Sequence, residues 1–305
     1  MELDKLKQLI KGQFQEISDA LFQGSISLDY LEQTDRVSAE ASPMFGLNMV
    51  RFSESNFKYF YVLEKYLCNV VDILNLKVLD ANFKKLDFQN DLLALDFINQ
   101  ISAFEAKGVS SQTIFFETNY ILNLFVYLHE CGHLNQELEL QESNTTANHF
   151  SEFNADYYAL TKILQYYHTL KTTQSEIYWK KVQAFGNEHD FIRTVITTAL
   201  LVIFLDVLPK FNSDDTETHP AIKKRFCYLI IQAVQQVSTN FASLFVKDTL
   251  NNFMVDIFNT MHFIENIVFE KHDMIFDNLL NFCFTDLKEI QAHLESNSEF
   301  KKFNQ

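Results

Sequence analysis

The chain has 305 residues, 47% hydrophobic and 21% charged, a composition that indicates a folded globular protein and excludes a largely disordered one. Its formal net charge is -15, from 25 basic and 40 acidic residues without a concentrated Lys/Arg stripe, so direct binding to nucleic acid is disfavoured. The 4 cysteines are widely spaced and form no C-x-x-C pair, which argues against a disulfide framework and a structural zinc knuckle.

No targeting or membrane-spanning segment is predicted. The N-terminus lacks the uninterrupted apolar core and the small-residue cleavage site of a signal peptide. The segment most like a membrane helix is residues 195–205. It is much shorter than the about 20 apolar residues needed to span a membrane, so a core helix is predicted there instead. We therefore expect a cytoplasmic protein without a membrane partner.

The first part of the chain is predicted to be mainly helical. Only 6 Gly and 3 Pro are present, so long helices should dominate a mainly α fold with at most a small β-sheet. Apolar residues recur at spacings of three and four from Leu3 to Leu21, which predicts an amphipathic helix. Residues 24–43 are rich in Ser, Asp and Glu and are predicted as a loop. Residues 44–52 are predicted as a short edge strand that binds an extended peptide by main-chain pairing.

Three regions are expected to form one compact unit. Two more helices are predicted over residues 56–74 and 88–104, and the segment EAKGVSS after them is the favoured internal boundary. An N-terminal helical region is therefore assigned to 1–110. A core that carries the motifs described below is assigned to 111–237, and a C-terminal helical region to 238–305.

The segment from Thr113 to about Leu140 is predicted as a buried apolar helix that carries two histidines and a glutamate. At 3.6 residues per turn, His129 and His133 lie one above the other on one face, where both imidazoles reach a single cation. Glu130 lies about 100° round the helix, beside that cation. The H-E-x-x-H spacing predicts two imidazole ligands for zinc and a carboxylate that acts as general base.

Gly132 lies inside this motif. Glycine in a helix interior costs roughly 1 kcal/mol of helix propensity relative to alanine. We therefore expect another backbone or a substrate to approach the helix closely at this position.

A second helix is predicted from near Asn148, with Glu152 and Asp156 on one face. Glu152 would complete three protein ligands and leave a fourth position open for water, which is the plan of a catalytic zinc site. Asp156 is predicted to accept the second ring N–H of His129. Two alternatives stay open: the two carboxylates form only a solvated acidic face, or His149 replaces Glu152 as third ligand, although no hydrogen-bond partner is visible for it.

At these residues the chain resembles the glutamate-zincin (gluzincin) metallopeptidases. Three segments carry the likeness, namely HECGH from His129, EFNAD from Glu152 and THPAIKKR from Thr218. Together they look most like the bacterial phage-exclusion peptidases of the Lit type, and like the wider set that includes CAAX prenyl and HtpX-type proteases. The resemblance covers about residues 113 to 230. It implies a zincin-like helical core, Zn²⁺ as cofactor, endopeptidase activity on a protein or peptide, and a role in antiviral defence.

The THPAIKKR segment is predicted to begin a helix, with Thr218 as its cap. Our hypothesis is that His219 or Arg225 reaches the zinc pocket and hydrogen-bonds the oxyanion of the tetrahedral intermediate. Tyr157 and Tyr158, next to the glutamate ligand, are competing donors. The alternative is that His219 and Arg225 serve only to start the helix.

Two other functions are weighed against a phage-defence protease. One is a regulatory protease of the ImmA type that cleaves a repressor, which is similar in its motifs. The other is a non-catalytic interaction module that keeps a zincin-like core, and the intact H-E-x-x-H and E-x-x-A-D patterns speak against it.

Overall fold

The structure is a computed structural model that describes residues 3–22, 25–31, 39–44, 47–66, 112–136, 145–206 and 222–244, and residues 252, 255 and 257. Helices predominate in these ranges and one small sheet is present, so the prediction of a mainly α fold is confirmed. The helices are α1 (Leu3–Phe22), α2 (Glu54–Tyr66), α3 (Gln112–Gln136), α4 (Thr145–Thr172), α5 (Glu176–Ala184), α6 (Glu188–Asp206) and α7 (Ile222–Asn240), with a 3-10 turn at Ala242–Leu244.

The sheet has three strands. Their order is β1 (Ile26–Leu31), β3 (Leu47–Ser53) and β2 (Ala39–Met44). β1 runs parallel to β3, with Ile26 opposite Asn48, and β2 runs antiparallel to it, with Ala41 opposite Val50.

The prediction of a loop over residues 24–43 was wrong, because β1 lies within that range and β2 overlaps it. β1 does alternate: Ile26 is buried, Leu28 and Tyr30 are half-buried, and the residues between them are exposed. β2 has the sequence AEASPM, in which Ala39 and Ala41 alternate and are half-buried against the core, but these small side chains give only a weak strand signal. Its pairing with β3, a partner supplied by tertiary structure, holds it in the sheet.

The strand predicted over residues 44–52 corresponds to β3, which lies at the centre of the sheet. It pairs with β1 on one side and with β2 on the other. The prediction that this strand offers a free edge to a peptide was therefore wrong, since both of its sides are already used. The outer strand that packs against α3 is β2.

The central element of the described fold is α3, which packs against α2, α4, α6, β2 and β3. Nearly every described side chain between Tyr120 and Leu134 is buried, as expected for a helix that is apolar all round. The apolar run of α6 is buried against α3 and α7, so the prediction of a core helix there is confirmed. Within the described ranges, no helix combines the length and the apolarity that crossing a membrane requires.

Other predicted elements are described only in part. The predicted first helix is confirmed as α1, which buries Leu6, Ile10 and Phe14. Of the predicted helix over 56–74, the structure describes the part in α2. The predicted helix over 88–104, the boundary segment after it and His219 lie outside the described residues, and the three regional boundaries stay predictions.

Close contact between α3 and α4 occurs at Gly132. A Cβ atom built there would lie 2.8 Å from Cα and 3.2 Å from Cβ of Ala155. Non-bonded carbon atoms do not approach so closely, so an alanine at position 132 would have to push α4 away. The prediction of a close approach at Gly132 is confirmed, and the group that approaches is the backbone of α4.

A buried ion pair joins the first half of α3 to α5. Glu117 is fully buried and accepts hydrogen bonds from Lys181 of α5 and from the phenol of Tyr167 on α4. Burial and the Glu117 carboxylate raise the pKa of Tyr167 well above its usual range, so the phenol stays a donor. A pair of charges removed from water must be held together closely, and this network therefore fixes α3 against α4 and α5.

We expect Gly132→Ala to lower the free energy of unfolding by about 1–3 kcal/mol, because the added methyl group overfills a packed contact. The matched control is Gly12→Ala in α1, where an added Cβ would meet nothing within 4 Å. There the helix propensity of alanine acts alone and should stabilise the protein by up to about 1 kcal/mol. Urea unfolding measures both variants. Similar stabilisation by the two substitutions would contradict the close contact.

We expect Lys181→Met to lower the free energy of unfolding by about 3–5 kcal/mol, because it leaves Glu117 buried without its cation. Its neighbour Lys180 is 71% exposed and pairs with Glu176. Lys180→Met is therefore a control with an expected effect within about 0.5 kcal/mol. Thermal unfolding compares the two, and equal effects would mean that the buried pair does not contribute to stability.

Candidate metal centre

Two histidines on α3 and one glutamate on α4 point at one another. Nε2 of His129 lies 3.1 Å from Nε2 of His133. Nε2 of His129 is 3.5 Å from Oε2 of Glu152, and Nε2 of His133 is 3.5 Å from Oε1 of the same carboxylate. Three donor atoms from two helices thus converge, and the group can hold a metal ion.

Hydrogen bonds from outside the group orient both imidazoles. Nδ1 of His129 lies 2.9 Å from Oδ1 of Asp156, and Nδ1 of His133 lies 2.9 Å from Oγ of Ser151. An ionised carboxylate only accepts, so Nδ1 of His129 donates its proton to Asp156. Because each Nδ1 is held in this way, each Nε2 faces Glu152. Metal-binding histidines are typically oriented by partners of this kind.

Asp156 is itself held by Arg225 from the first turn of α7. Nε of Arg225 donates to Oδ2 of Asp156 at 2.7 Å, and Nη2 donates to Oδ1 at 2.7 Å. Nη2 also lies 3.8 Å from Oε2 of Glu152. Two N–H groups of the guanidinium are therefore directed at the carboxylates, which disfavours Arg225 as the donor to a substrate oxyanion.

The exposed fraction of the side chains increases from the interior of the site to one edge. The side chain of Asp156 has no exposed surface, and that of Arg225 is 6% exposed. The exposed fraction is 10% for Glu152, 12% for His129 and 20% for His133. The site is therefore most open on the side of His133, while the Asp156–Arg225 pair stays away from water.

The electrostatic environment makes the two histidines unequal in the metal-free protein. Burial lowers the pKa of His129, but its hydrogen bonds with Asp156 and Glu152 outweigh burial and raise that pKa to about 10. Burial and the neighbouring His129 cation lower the pKa of His133 to about 4. Both carboxylates resist protonation: burial opposes their charge, yet His129 and Arg225 hold the pKa of Glu152 and of Asp156 below their usual values.

The other predicted site residues are placed as follows. Glu130 is half-buried on α3, directly after the first histidine. Among the described residues, the group that can hold a metal does not include His149, which disfavours the alternative third ligand. Tyr157 accepts a hydrogen bond from Gln236 at 3.5 Å, and Tyr158 lies beneath the ammonium of Lys162.

Two further side chains complete this description. Ser151 was missed from the sequence, since a serine one position before a glutamate on a helix carries no signal that it will face His133. Cys131, between the two histidines in sequence, is a free and fully buried thiol. Burial raises its pKa above the usual range, and among the described residues the group that can hold a metal does not include this thiol.

We expect the affinity for Zn²⁺ to fall about tenfold for each unit by which pH is lowered between about pH 9 and pH 5. The reason is that His129, with a pKa of about 10, must lose one proton before Nε2 can bind a metal, whereas His133, with a pKa of about 4, is already neutral. Isothermal titration calorimetry in buffers of different ionisation enthalpy should detect about one proton released per ion. If the affinity did not change with pH above about 7, the pKa of His129 would be that of an ordinary histidine, and the expectation would be wrong.

Comparison with known proteins gives one match. Residues 102–245 match the family described as Peptidase U49, which is 144 of the 305 residues and slightly less than half of the chain. The matched range contains both histidines, Glu152, Asp156 and Arg225. Neither the curated proteins nor the solved structures contain a significantly similar chain. The match indicates peptidase activity.

Proposed function

We propose that this chain is a zinc-dependent endopeptidase that hydrolyses a peptide bond in a protein substrate. The separation of the three donor atoms carries this proposal. Zinc lies about 2.0–2.2 Å from imidazole nitrogen and carboxylate oxygen, so two ligands at a tetrahedral angle are about 3.3–3.6 Å apart. Each Nε2 lies 3.5 Å from a different oxygen of Glu152, which matches this geometry, and the 3.1 Å between the two Nε2 atoms is slightly shorter.

The type and number of donors favour a catalytic zinc site. Two imidazoles and one carboxylate make three protein ligands, whereas structural zinc sites usually have four. Zinc bound there supplies a Lewis acid that polarises a carbonyl group and acidifies water. The peptidase match over residues 102–245 supports a peptide bond as the target.

The protein groups around the ligands have separate tasks. Glu130 is half-buried and projects from α3 about 100° away from the preceding ligand, so we assign it the role of general base. It would take a proton from the attacking water and return it to the leaving amine. Asp156 and Ser151 hold the two imidazoles in place. His219 is proposed to hydrogen-bond the oxyanion of the tetrahedral intermediate.

We further propose a cytoplasmic role in defence against phage. This part of the proposal rests on the resemblance of the three motif segments to the Lit-type peptidases. The net charge of -15 is compatible with a basic protein as substrate.

The first test is the zinc content of the purified protein. We expect one zinc per chain in wild type by mass spectrometry, and loss or sharp weakening of binding in Glu152→Ala. Glu176→Ala is the matched control, because Glu176 is a helical glutamate that is 80% exposed and far from the ligands in sequence. A wild type that stays metal-free at saturating zinc would overturn the proposal and favour the interaction module.

The second part of this test separates the base from the ligands. Glu130→Gln should keep one zinc per chain but lower peptide hydrolysis by at least about 100-fold. Protein N-termini can be mapped in phage-infected bacterial cells that express wild type or Glu130→Gln. New N-termini confined to wild type are expected. Loss of zinc from Glu130→Gln would mean that this glutamate is a ligand or a structural residue.

A further inference from the structure

Two carboxylates share the buried end of the metal centre. Glu152 and Asp156 lie one turn apart on α4, where like charges repel each other. Both are buried, and water therefore does little to screen this repulsion. One guanidinium, that of Arg225, lies within 2.7 Å of the Asp156 oxygens and 3.8 Å of a Glu152 oxygen.

The contact with Arg225 fixes the orientation of the Asp156 carboxylate and also offsets its negative charge. Nε and Nη2 of Arg225 bind the two carboxylate oxygens separately, so the planar fork fixes the plane of the carboxylate. Oδ1, which accepts from Nη2, is also the oxygen that lies 2.9 Å from Nδ1 of His129. The orientation of the His129 ring therefore depends on Arg225 through the shared Oδ1 atom of Asp156.

We propose that Arg225 is a positioning residue for the metal site, and that it acts on zinc affinity through Asp156. This inference rests on the proposed function only in taking His129, His133 and Glu152 as zinc ligands. Without Arg225 the Asp156 carboxylate loses its fixed plane, and the repulsion between the two carboxylates is offset less well. Because Arg225 belongs to α7, metal binding by α3 and α4 then depends on how α7 is docked.

A general structural role would give a different result. If Arg225 only anchored α7, its loss would reduce stability whatever residue stood at position 156. A residue that acts through Asp156 should lose its effect on zinc affinity once the Asp156 carboxylate is gone. The two roles are therefore separated by a double-mutant cycle.

The experiment measures zinc affinity by chelator competition in wild type, Arg225→Gln, Asp156→Asn and the double variant. We expect Arg225→Gln to weaken zinc binding 10- to 100-fold, the usual effect of changing a partner of a metal ligand. Arg225→Lys should recover only part of the affinity, since lysine keeps the charge but lacks the planar fork. The control is Arg193→Gln, which removes an Arg–Asp pair on α6, and its zinc affinity should match wild type.

The cycle decides between the outcomes. If Arg225 acts through Asp156, Asp156→Asn and the double variant should bind zinc within about threefold of each other. An unchanged affinity in Arg225→Gln, or a further loss of about tenfold in the double variant, would overturn the inference. If the single variant Arg225→Gln does not fold, the double variant lacks both buried charges, and comparison of its zinc affinity with that of Asp156→Asn still tests the inference. Zinc-free wild type would instead refute the proposed function.

Discussion

The contact between α3 and α4 at Gly132 and Ala155 sets the dimensions of the site. The ligands come from these two helices, so the distance between the helix axes determines how far Glu152 stands from the two imidazoles. Helices usually pack 8–10 Å apart, and small residues at the contact bring them toward the near end of that range. Here the glycine between the histidines meets the alanine one turn from Glu152, the proposed third ligand. The close packing of α3 against α4 at this contact therefore determines the distances between the donor atoms.

Charge at this site is arranged in layers from the interior outward. Arg225 holds Asp156, Asp156 holds His129, and the two histidines with Glu152 face the wetter edge. The innermost pair is almost completely removed from water, where an arginine and a carboxylate hold each other's geometry best when every polar atom is matched. The outermost groups keep some exposure, which metal exchange and substrate entry require. The two histidines differ in basicity because His129 has two carboxylate partners, whereas His133 is buried beside the His129 cation.

Much of the helical framework follows from the sequence, because α1, α3 and α6 are long segments whose apolar residues fix their burial. That His129 and His133 share a face follows from spacing, since helical periodicity is a local property. Glu152 on the next helix is inferred from its pattern with Asp156 and from the three protein ligands of a catalytic zinc site. The sheet is harder to predict, because the small apolar residues of β2 give a weak pattern and its pairing with β3 holds it in place. Ser151 and the bidentate contact of Arg225 depend on which turns of separate helices meet. No pattern within one helix carries that information.

The burial of the Cys131 thiol affects how well the site resists oxidation. A thiol between two metal-binding histidines would ordinarily be a point of chemical weakness, open to oxidants, alkylating agents and thiophilic metals. Here the thiol of Cys131 projects from α3 into the protein interior, and burial raises its pKa, which favours the protonated form. The described group that can hold a metal ion consists of nitrogen and oxygen donors, so oxidants that inactivate exposed thiols do not act on it directly. A centre of this kind keeps its composition when the redox state of its surroundings shifts.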